Sequence, residues 1–383
     1  MTGSTLLFTS NTFSKKRLFF AFSGRHNLQP FNPAADIGFA LRQRHPRQHH
    51  SIYTMKKLLL PTLLCLASLC HAAEKKRVIV CTVTTGFRHD SIAVAEQVLE
   101  KLAKESGAFE IVDFARQPTV ELLHQWKKPD DLKPDADDKA KEKYAADMKK
   151  YEEETAKWTP EMEAKAKDLE KQSADQMKAS MDKLSPANLK AKKIDGVIFA
   201  NTTGDLPLPD REGFIKWIAE GHAFMGMHSA SDTFPGFPGY NEMLQGHFQS
   251  HAAQVPADLV AADKAHPANG GLGDKFDISQ EEMYRIKDQD RAKVRSLWYL
   301  QHEPNNVNEK GFFPVSWCRM EGKGRVFYTS LGHRQDLWSD DPALPDRKNA
   351  PEIAKKYQAH ILGGIKWALG LAKGDATPNP DVK

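Results

Sequence analysis

MGMHSASD, residues Met225–Asp232, closes the apolar run AFMGM and leads straight into small residues. A glycine two positions before a polar side chain, with small residues after it, is how a strand turns sharply into a helix and exposes one side chain at the apex. α/β enzymes put a nucleophile at such an apex. Here the apex residue is His228, neither Ser nor Cys. That substitution decides which reactions stay open.

The flanking segments alternate strand and helix. RVIVCTV (Arg77–Val83) is a continuous β-branched apolar run, as expected of a strand buried on both faces of a parallel sheet. TTGFRHD follows, then a helical pattern over Ser91–Lys104 with Ile92, Ala95, Val98, Leu99 and Leu102 on one face. FEIVDF (Phe109–Phe114) and DGVIFAN (Asp195–Asn201) read as strands two and three, EGFIKWIAEG as a helix, and AFMGMH as strand four. The alternation argues for an α/β sheet. Further on, PADLVAAD, KVRSLWYL, PVSWCRM and GRVFYTSLGH read as strands, the last two joined by the hairpin turn EGKG, and a final helix holds Ile361, Ile365, Trp367 and Ala368. Residues 127–192 break the pattern. They are rich in Lys, Asp, Glu and Ala, and predict two amphipathic helices, Ala136–Thr155 and Pro160–Leu184, as a charged hairpin projecting between strands two and three. Its sparse apolar positions hold no strict heptad, but partner binding or self-association through it is open. The tail, 372–383, is polar and expected to be disordered.

Met55 opens MKKLLLPTLLCLASLCHAAEKK, with two lysines, an apolar core from Leu58 to Leu69 and small residues at Ala72–Ala73. This is the plan of a secretory signal peptide, too short to span a bilayer. Residues 55–72 are therefore expected to direct export to a periplasmic or extracellular location, with the mature domain over 73–371. Residues 1–54 are expected to come from a start codon called too early, or to form an extension. Residues 1–72 carry nine Lys/Arg and one acid, a surplus of +8 against +4 for the whole chain, so the remainder carries −4. The basic balance belongs to the leader, and nothing argues for nucleic-acid binding. Cys81 and Cys318, the two cysteines beyond the leader, lie in strand-like runs and read as buried hydrophobes.

Ligands of doubly wound sheets bind beyond the carboxyl ends of the strands. Those ends carry Thr85, Arg88 and His89 after strand one, Asn201, Thr203 and Asp205 after strand three, His228, Ser229 and Asp232 after strand four, and His333 after the last. Three histidines at corresponding ends are expected to converge on one crevice, with His89, His228 and His333 as catalytic candidates. Arg88, Thr85, Asn201, Thr203, Asp205, Ser229 and Asp232 are candidates for holding substrate. Asp90 or Ser91 is placed to cap the first helix. His247 and His251, in HFQSH, would share one metal if helical, although no HExxH is present. With His228 and Glu282 they form the candidate set for a divalent metal, and Glu281, Glu282 and Tyr284 open a segment able to supply carboxylates. No GxGxxG or GxxxxGK[ST] occurs, so no nucleotide cofactor is expected.

GFRHDSI, NTTGD, MGMHSASD, AHPANGGL, EEMY and SWCRMEGKGRVFYTSLGH occur in the order found in trehalose-utilisation (ThuA-like) domains, which this chain resembles from about Arg77 to Leu371. The resemblance implies a flavodoxin-like three-layer sandwich with a mainly parallel sheet, related to class I glutamine amidotransferases. In that superfamily the apex carries a catalytic Cys within G-x-C-x-G. GMHSA puts His228 at that place, so an amidotransferase mechanism does not transfer. The resemblance also implies sugar catabolism and a small carbohydrate or keto-sugar as partner. Three readings follow: an enzyme acting on a glycoside or 3-keto-sugar through the histidines, as acid–base groups or around a metal; a non-catalytic carbohydrate-binding module with Trp317, Trp338, Phe234 and Phe237 as stacking surfaces; and, last, a hydrolase using Ser229.

Overall fold

The computed structural model of the chain describes residues 74–382; residues 1–54 and the signal-like segment 55–72 lie outside the described residues. Along the chain, β1 (Lys76–Cys81), α1 (Ile92–Ser106) and β2 (Phe109–Ala115) precede α2 (Asp138–Ala156), α3 (Pro160–Asp182) and α4 (Pro186–Ala191). Next come β3 (Gly196–Ala200), α5 (Arg211–Ala219), β4 (Ala223–Met227) and α6 (Pro238–Leu244). The last part holds β5 (His247–Ser250), β6 (Val255–Ala261), β7 (Lys275–Glu281), β8 (Arg285–Lys287), β9 (Arg295–Glu303), β10 (Asn306–Glu321), β11 (Gly324–Thr329), α7 (Gln335–Trp338) and α8 (Pro351–Ala368).

Nine strands form one sheet in the order β2-β1-β3-β4-β11-β10-β9-β6-β7. The run from β2 to β11 is parallel, and the remaining strands extend it antiparallel. Within the parallel half the sequential order is 2-1-3-4-5, that of flavodoxin-like doubly wound sheets, with its switch point between β1 and β3. The fold is α/β with a mixed, mostly parallel central sheet and helices on both sides. β5 and β8 pair separately as a small antiparallel ribbon.

Strand periodicity builds the layers. Val78 and Val80 of β1 enter a cluster with Ala95, Val98 and Leu99 of α1 and Ile361 and Ile365 of α8. The alternate residues Ile79 and Cys81 enter the opposite cluster, with Phe214 and Trp217 of α5 and Tyr240 of α6. The helical face read for α1 is buried as the pattern predicts. The expected cap is not made: Ser91 stands at the N-cap without a capping bond, and its hydroxyl donates to the Gly332 carbonyl at 3.1 Å. Cys81 and Cys318 are free and buried. Among the described residues, no helix is long and apolar enough to cross a membrane.

The inserted segment and the tail both make contacts with the domain. The inserted hairpin exists, with Asp137 and Thr159 capping α2 and α3, but its last part belongs to the core. α2 buries no residue, whereas Met181, Leu184 and Leu189 are fully buried in the cluster of Ile79 and Cys81. Part of the tail beyond 371 makes contacts with the domain. Arg295 Nη1 donates to the Thr377 carbonyl at 2.9 Å, and Asn379 bonds both backbone groups of Ser296 at 2.7 and 3.1 Å.

Candidate functional site

At the end of β4 the chain reverses through His228, whose φ of 50° lies in the left-handed region that L-residues seldom adopt. A 3₁₀ turn, His228–Asp232, follows immediately. Gly226 permits the close approach: a Cβ there would meet Tyr328, Ala230 and Phe224 at 3.1–3.2 Å. The neighbouring loops are laced to this turn. Thr85 N donates to the Thr203 carbonyl at 2.9 Å, and Gly204 N to that of Asp232 at 2.9 Å. The ends of β1, β3 and β4 are thereby fixed relative to one another.

These loops and the loop after β11 bring three imidazoles together. Ring centroids are 4.6 Å apart for His89–His228, 5.2 Å for His89–His333 and 5.4 Å for His228–His333. His228 is fully buried yet faces this cluster, not the apolar core. Its Nδ1 bonds the Ser330 carbonyl at 2.8 Å; a carbonyl only accepts, so Nδ1 carries the hydrogen and Nε2 the lone pair. Nε2 receives the Tyr284 hydroxyl at 2.8 Å and lies 3.1 Å from His89 Nε2. The other ring nitrogen of His89 meets Ser229 Oγ at 3.3 Å.

The antiparallel half closes the site from above, through the exit of β7 and the β5–β8 ribbon. Glu282 Oε2 sits 3.0 Å from His333 Nδ1 and 3.6 Å from His228 Nε2, and its Oε1 sits 3.0 Å from His251 Nδ1. Buried Glu281 accepts the backbone N–H groups of His333 at 2.8 Å and Arg334 at 3.3 Å, so it holds the histidine loop. Thr203, Asp232, Phe87, Phe248 and Tyr284 complete the lining of a pocket of about 200 Å³.

Burial sets the electrostatics. It depresses His89 to about 4, helped by the charge of His333 and opposed by Glu282. It pushes His228 well below the usual histidine range, with His89 adding to the effect. Both rings are therefore neutral at pH 7. Burial also pulls His333 down, but the Glu282 carboxylate against its ring and the charge of Glu281 outweigh it and leave its pKa raised. Desolvation lifts Glu281 to about 7 against its hydrogen bonds, and lifts Asp232 as well.

Of the residues singled out from sequence, His89, His228, His333, Ser229, Thr203, Asp232, His251 and Glu282 come together here. Five do not. Arg88 turns back and donates to the Thr82 carbonyl at 3.0 Å. Asp205 is exposed in an ion pair with Arg211 at 2.8 Å. Thr85 is exposed and serves the lacing. Asn201 is buried, its amide donating to Ser91 Oγ at 2.8 Å and the Gly332 carbonyl at 2.9 Å. His247 lies on strand β5, not a helix, and is absent from the pocket lining and from the four-residue cluster. The metal candidates His247 and His251 therefore give way to His89 and His333, which join His228 and Glu282 with all ligand atoms within 4.8 Å of one another. Trp317, Trp338, Phe234 and Phe237 are buried and offer no stacking surface. The aromatic groups at the site are Tyr284, named with Glu281 and Glu282 from the sequence, and Phe87, 68% exposed, and Phe248, which sequence reasoning did not place there. Their signal was adjacency: Phe87 stands two residues before His89, and Phe248 beside His247.

The family model for trehalose utilisation, ThuA, matches residues 148–368. The chain belongs to the ThuA family. The match begins inside α2, so β1, α1, β2 and His89 precede it, whereas the motif resemblance begins near Arg77. Similar solved structures include a ThuA-like protein from Parabacteroides merdae, 17% identical, covering 81% of this chain and 99% of its own with a TM-score of 0.49. Another, from Bacteroides uniformis, is 16% identical, covers 81% of this chain and 98% of its own, and gives 0.47. No curated protein matches the chain. The ThuA chain thus presents, at the sheet's carboxyl edge, neutral imidazoles, carboxylates and a phenol around one small space. Such a set can polarise an oxygen and move a proton beside it.

Proposed function

We propose that this ThuA chain cleaves a glycoside or 3-keto-sugar in the pocket, with the His–Glu cluster polarising a sugar oxygen and His251 transferring the proton. The supporting observation is the convergence of His89, His251, His333 and Glu282, with His228 behind them, on a pocket of about 200 Å³ that Ser229, Thr203 and Asp232 also line. A pocket smaller than the ~300–1,000 Å³ of drug-sized sites suits a single sugar ring, with the remainder of the glycoside outside. Hydroxyl and carboxylate groups suit sugar hydroxyls, and exposed Phe87 suits a ring face. The family's description, trehalose utilisation, agrees in substrate class.

The chemistry follows from the ketone. A carbonyl acidifies the neighbouring C–H. A base takes that proton, the electron pair moves onto the carbonyl oxygen, and its return expels the β-oxygen of the glycosidic bond, which takes up a proton. His251 suits the base. Its Nδ1 faces two acceptors, Glu282 Oε1 and the Ala252 carbonyl, each at 3.0 Å, so Nε2 is the basic nitrogen. His333, whose pKa the Glu282 and Glu281 carboxylates raise, suits the developing oxyanion.

The test is turnover of 3-keto-glycosides, read as release of the leaving sugar. His251→Ala is expected to lower kcat by about 10²–10⁴-fold with an unchanged melting temperature, since the side chain is 43% exposed. Sugar binding without turnover in the wild-type chain would instead favour a carbohydrate-binding module. Export through residues 55–72 is part of the proposal. The intact mass of the secreted chain is expected to correspond to a start near Ala73, and retention of residues before Met55 would overturn the reading of 1–54 as an early start.

A further inference from the structure

We propose that His89, His228, His333 and Glu282 bind one divalent transition-metal ion. The proposal concerns the same pocket as the sugar reading but stands on the arrangement of these four side chains alone. Three imidazole nitrogens and one carboxylate oxygen suit zinc and its transition-metal neighbours, and are a poor set for magnesium or calcium, which take oxygen.

Three of the spacings come close to those of a coordination sphere. Metal bonds of about 2.0–2.1 Å place neighbouring ligand atoms about 2.8–3.4 Å apart in octahedral or tetrahedral geometry. His228 Nε2 lies 3.1 Å from His89 Nε2 and 3.6 Å from Glu282 Oε2, which lies 3.0 Å from His333 Nδ1. All four candidate atoms fall within 4.8 Å of one another.

Hydrogen bonding alone does not account for the arrangement. His228 Nε2 has one in-plane lone pair, because Nδ1 spends its hydrogen on the Ser330 carbonyl at 2.8 Å. Two groups close on that atom, the Tyr284 hydroxyl at 2.8 Å and His89 Nε2 at 3.1 Å, and one lone pair accepts only one of them. His333 Nδ1 is buried and lies outside hydrogen-bond geometry even with Glu282 Oε2 3.0 Å away. A cation between these atoms takes the lone pairs of His228 Nε2, His89 Nε2 and His333 Nδ1 together with a Glu282 oxygen, and leaves the Tyr284 hydroxyl free to donate elsewhere.

The outer atoms of the ligands are held as metal ligands usually are. Ser330 fixes the ring of His228, Ser229 Oγ meets His89 Nδ1 at 3.3 Å, and His251 holds the second oxygen of Glu282 at 3.0 Å. Glu281 fixes the backbone that carries His333. The ligands arrive from the ends of β1, β4, β11 and β7, so the sheet assembles the site.

The experiment strips the purified full-length chain with a chelator and titrates it with zinc chloride and, separately, cobalt chloride. One equivalent per chain is expected, with visible absorption of the bound cobalt. His89→Ala and His333→Ala are expected to lose more than ~100-fold in affinity, while His302→Ala, on β9 away from the cluster, keeps the full equivalent. Glu282→Gln, nearly isosteric, is expected to weaken binding and serves if the histidine variants fold poorly. Less than ~0.1 equivalent bound by the wild-type chain, or wild-type binding by all three cluster variants, overturns the proposal. A chain that holds one equivalent but turns over no glycoside supports the metal site and overturns the sugar reading. Turnover in a chain that binds neither ion does the reverse.

Discussion

His228 couples function to stability in one side chain, and His251 does not. Replacing His228 by Ala leaves the Ser330 carbonyl and the Tyr284 hydroxyl without their partner inside a sealed site. Each unsatisfied buried group costs about 1–3 kcal/mol. His228→Ala is therefore expected to lower both turnover and the urea midpoint, while His251→Ala lowers turnover alone. Equal midpoints for the two variants would show that the His228 network contributes nothing to the fold. At this scale the histidines were legible because three separate strand ends carry one each, and a parallel sheet brings its carboxyl ends together. Arg88, Asp205 and Asn201 were not, because adjacency to a strand end does not fix direction. Arg88 neighbours His89 but returns to the Thr82 carbonyl, and Asn201 spends its amide on bracing two loops. Glu281 showed no signal of its role, since bonding to the backbone of a loop 52 residues away leaves no local pattern.

The elements were read well where periodicity is strong. β1, α1, β3, β4 and the β10–β11 hairpin follow from apolar runs, a 3.6-residue face and the EGKG turn. The β5 ribbon was not legible because four residues in HFQSH fit a helix or a strand equally, and its partner β8 lies far along the chain. The insertion was found but assigned too wholly to solvent. Its composition is dominated by α2 and most of α3, and the three apolar residues that dock, Met181, Leu184 and Leu189, sit at its far end. Leu184→Ala and Leu189→Ala are each expected to cost about 2–5 kcal/mol. Tyr144→Ala, on α2 with no buried residue, should cost little. Deletion of 127–175 should leave cooperative unfolding, whereas deletion through 192 should abolish it. Cooperative melting after the longer deletion would mean that these leucines are not part of the core.

Across the whole molecule, buried histidines make the fold acid-sensitive. His266 and His360, both remote from the cluster, are held down to about 4 by burial. His360 is fully buried between α8 and the sheet, with Nδ1 on the Ala268 carbonyl at 2.5 Å and its ring 5.5 Å from that of Phe327. An unfolded histidine titrates near 6.5. Between about 6.5 and 4 the unfolded chain therefore binds more protons than the folded one, and stability falls as pH falls. Glu281 acts with the opposite sign. Its folded pKa of about 7 lies above the ordinary 4.5, so its contribution is complete below 4.5 and lost as pH rises through 7. The buried histidines outweigh it on the acid side, and above 6.5 it acts together with His333, whose raised pKa has the same sign, which puts the maximum of stability near pH 6.5. His360 offers the cleanest test, because Gln at that place can still donate to the Ala268 carbonyl but cannot titrate. One such group contributes about 1.4 kcal/mol per pH unit inside its window. Urea unfolding of His360→Gln from pH 4 to 7 is expected to give a slope shallower than wild type by about that amount, whatever its stability at pH 7. Parallel curves for the two proteins would mean that His360 is not held neutral by the fold, and that the acid sensitivity arises elsewhere.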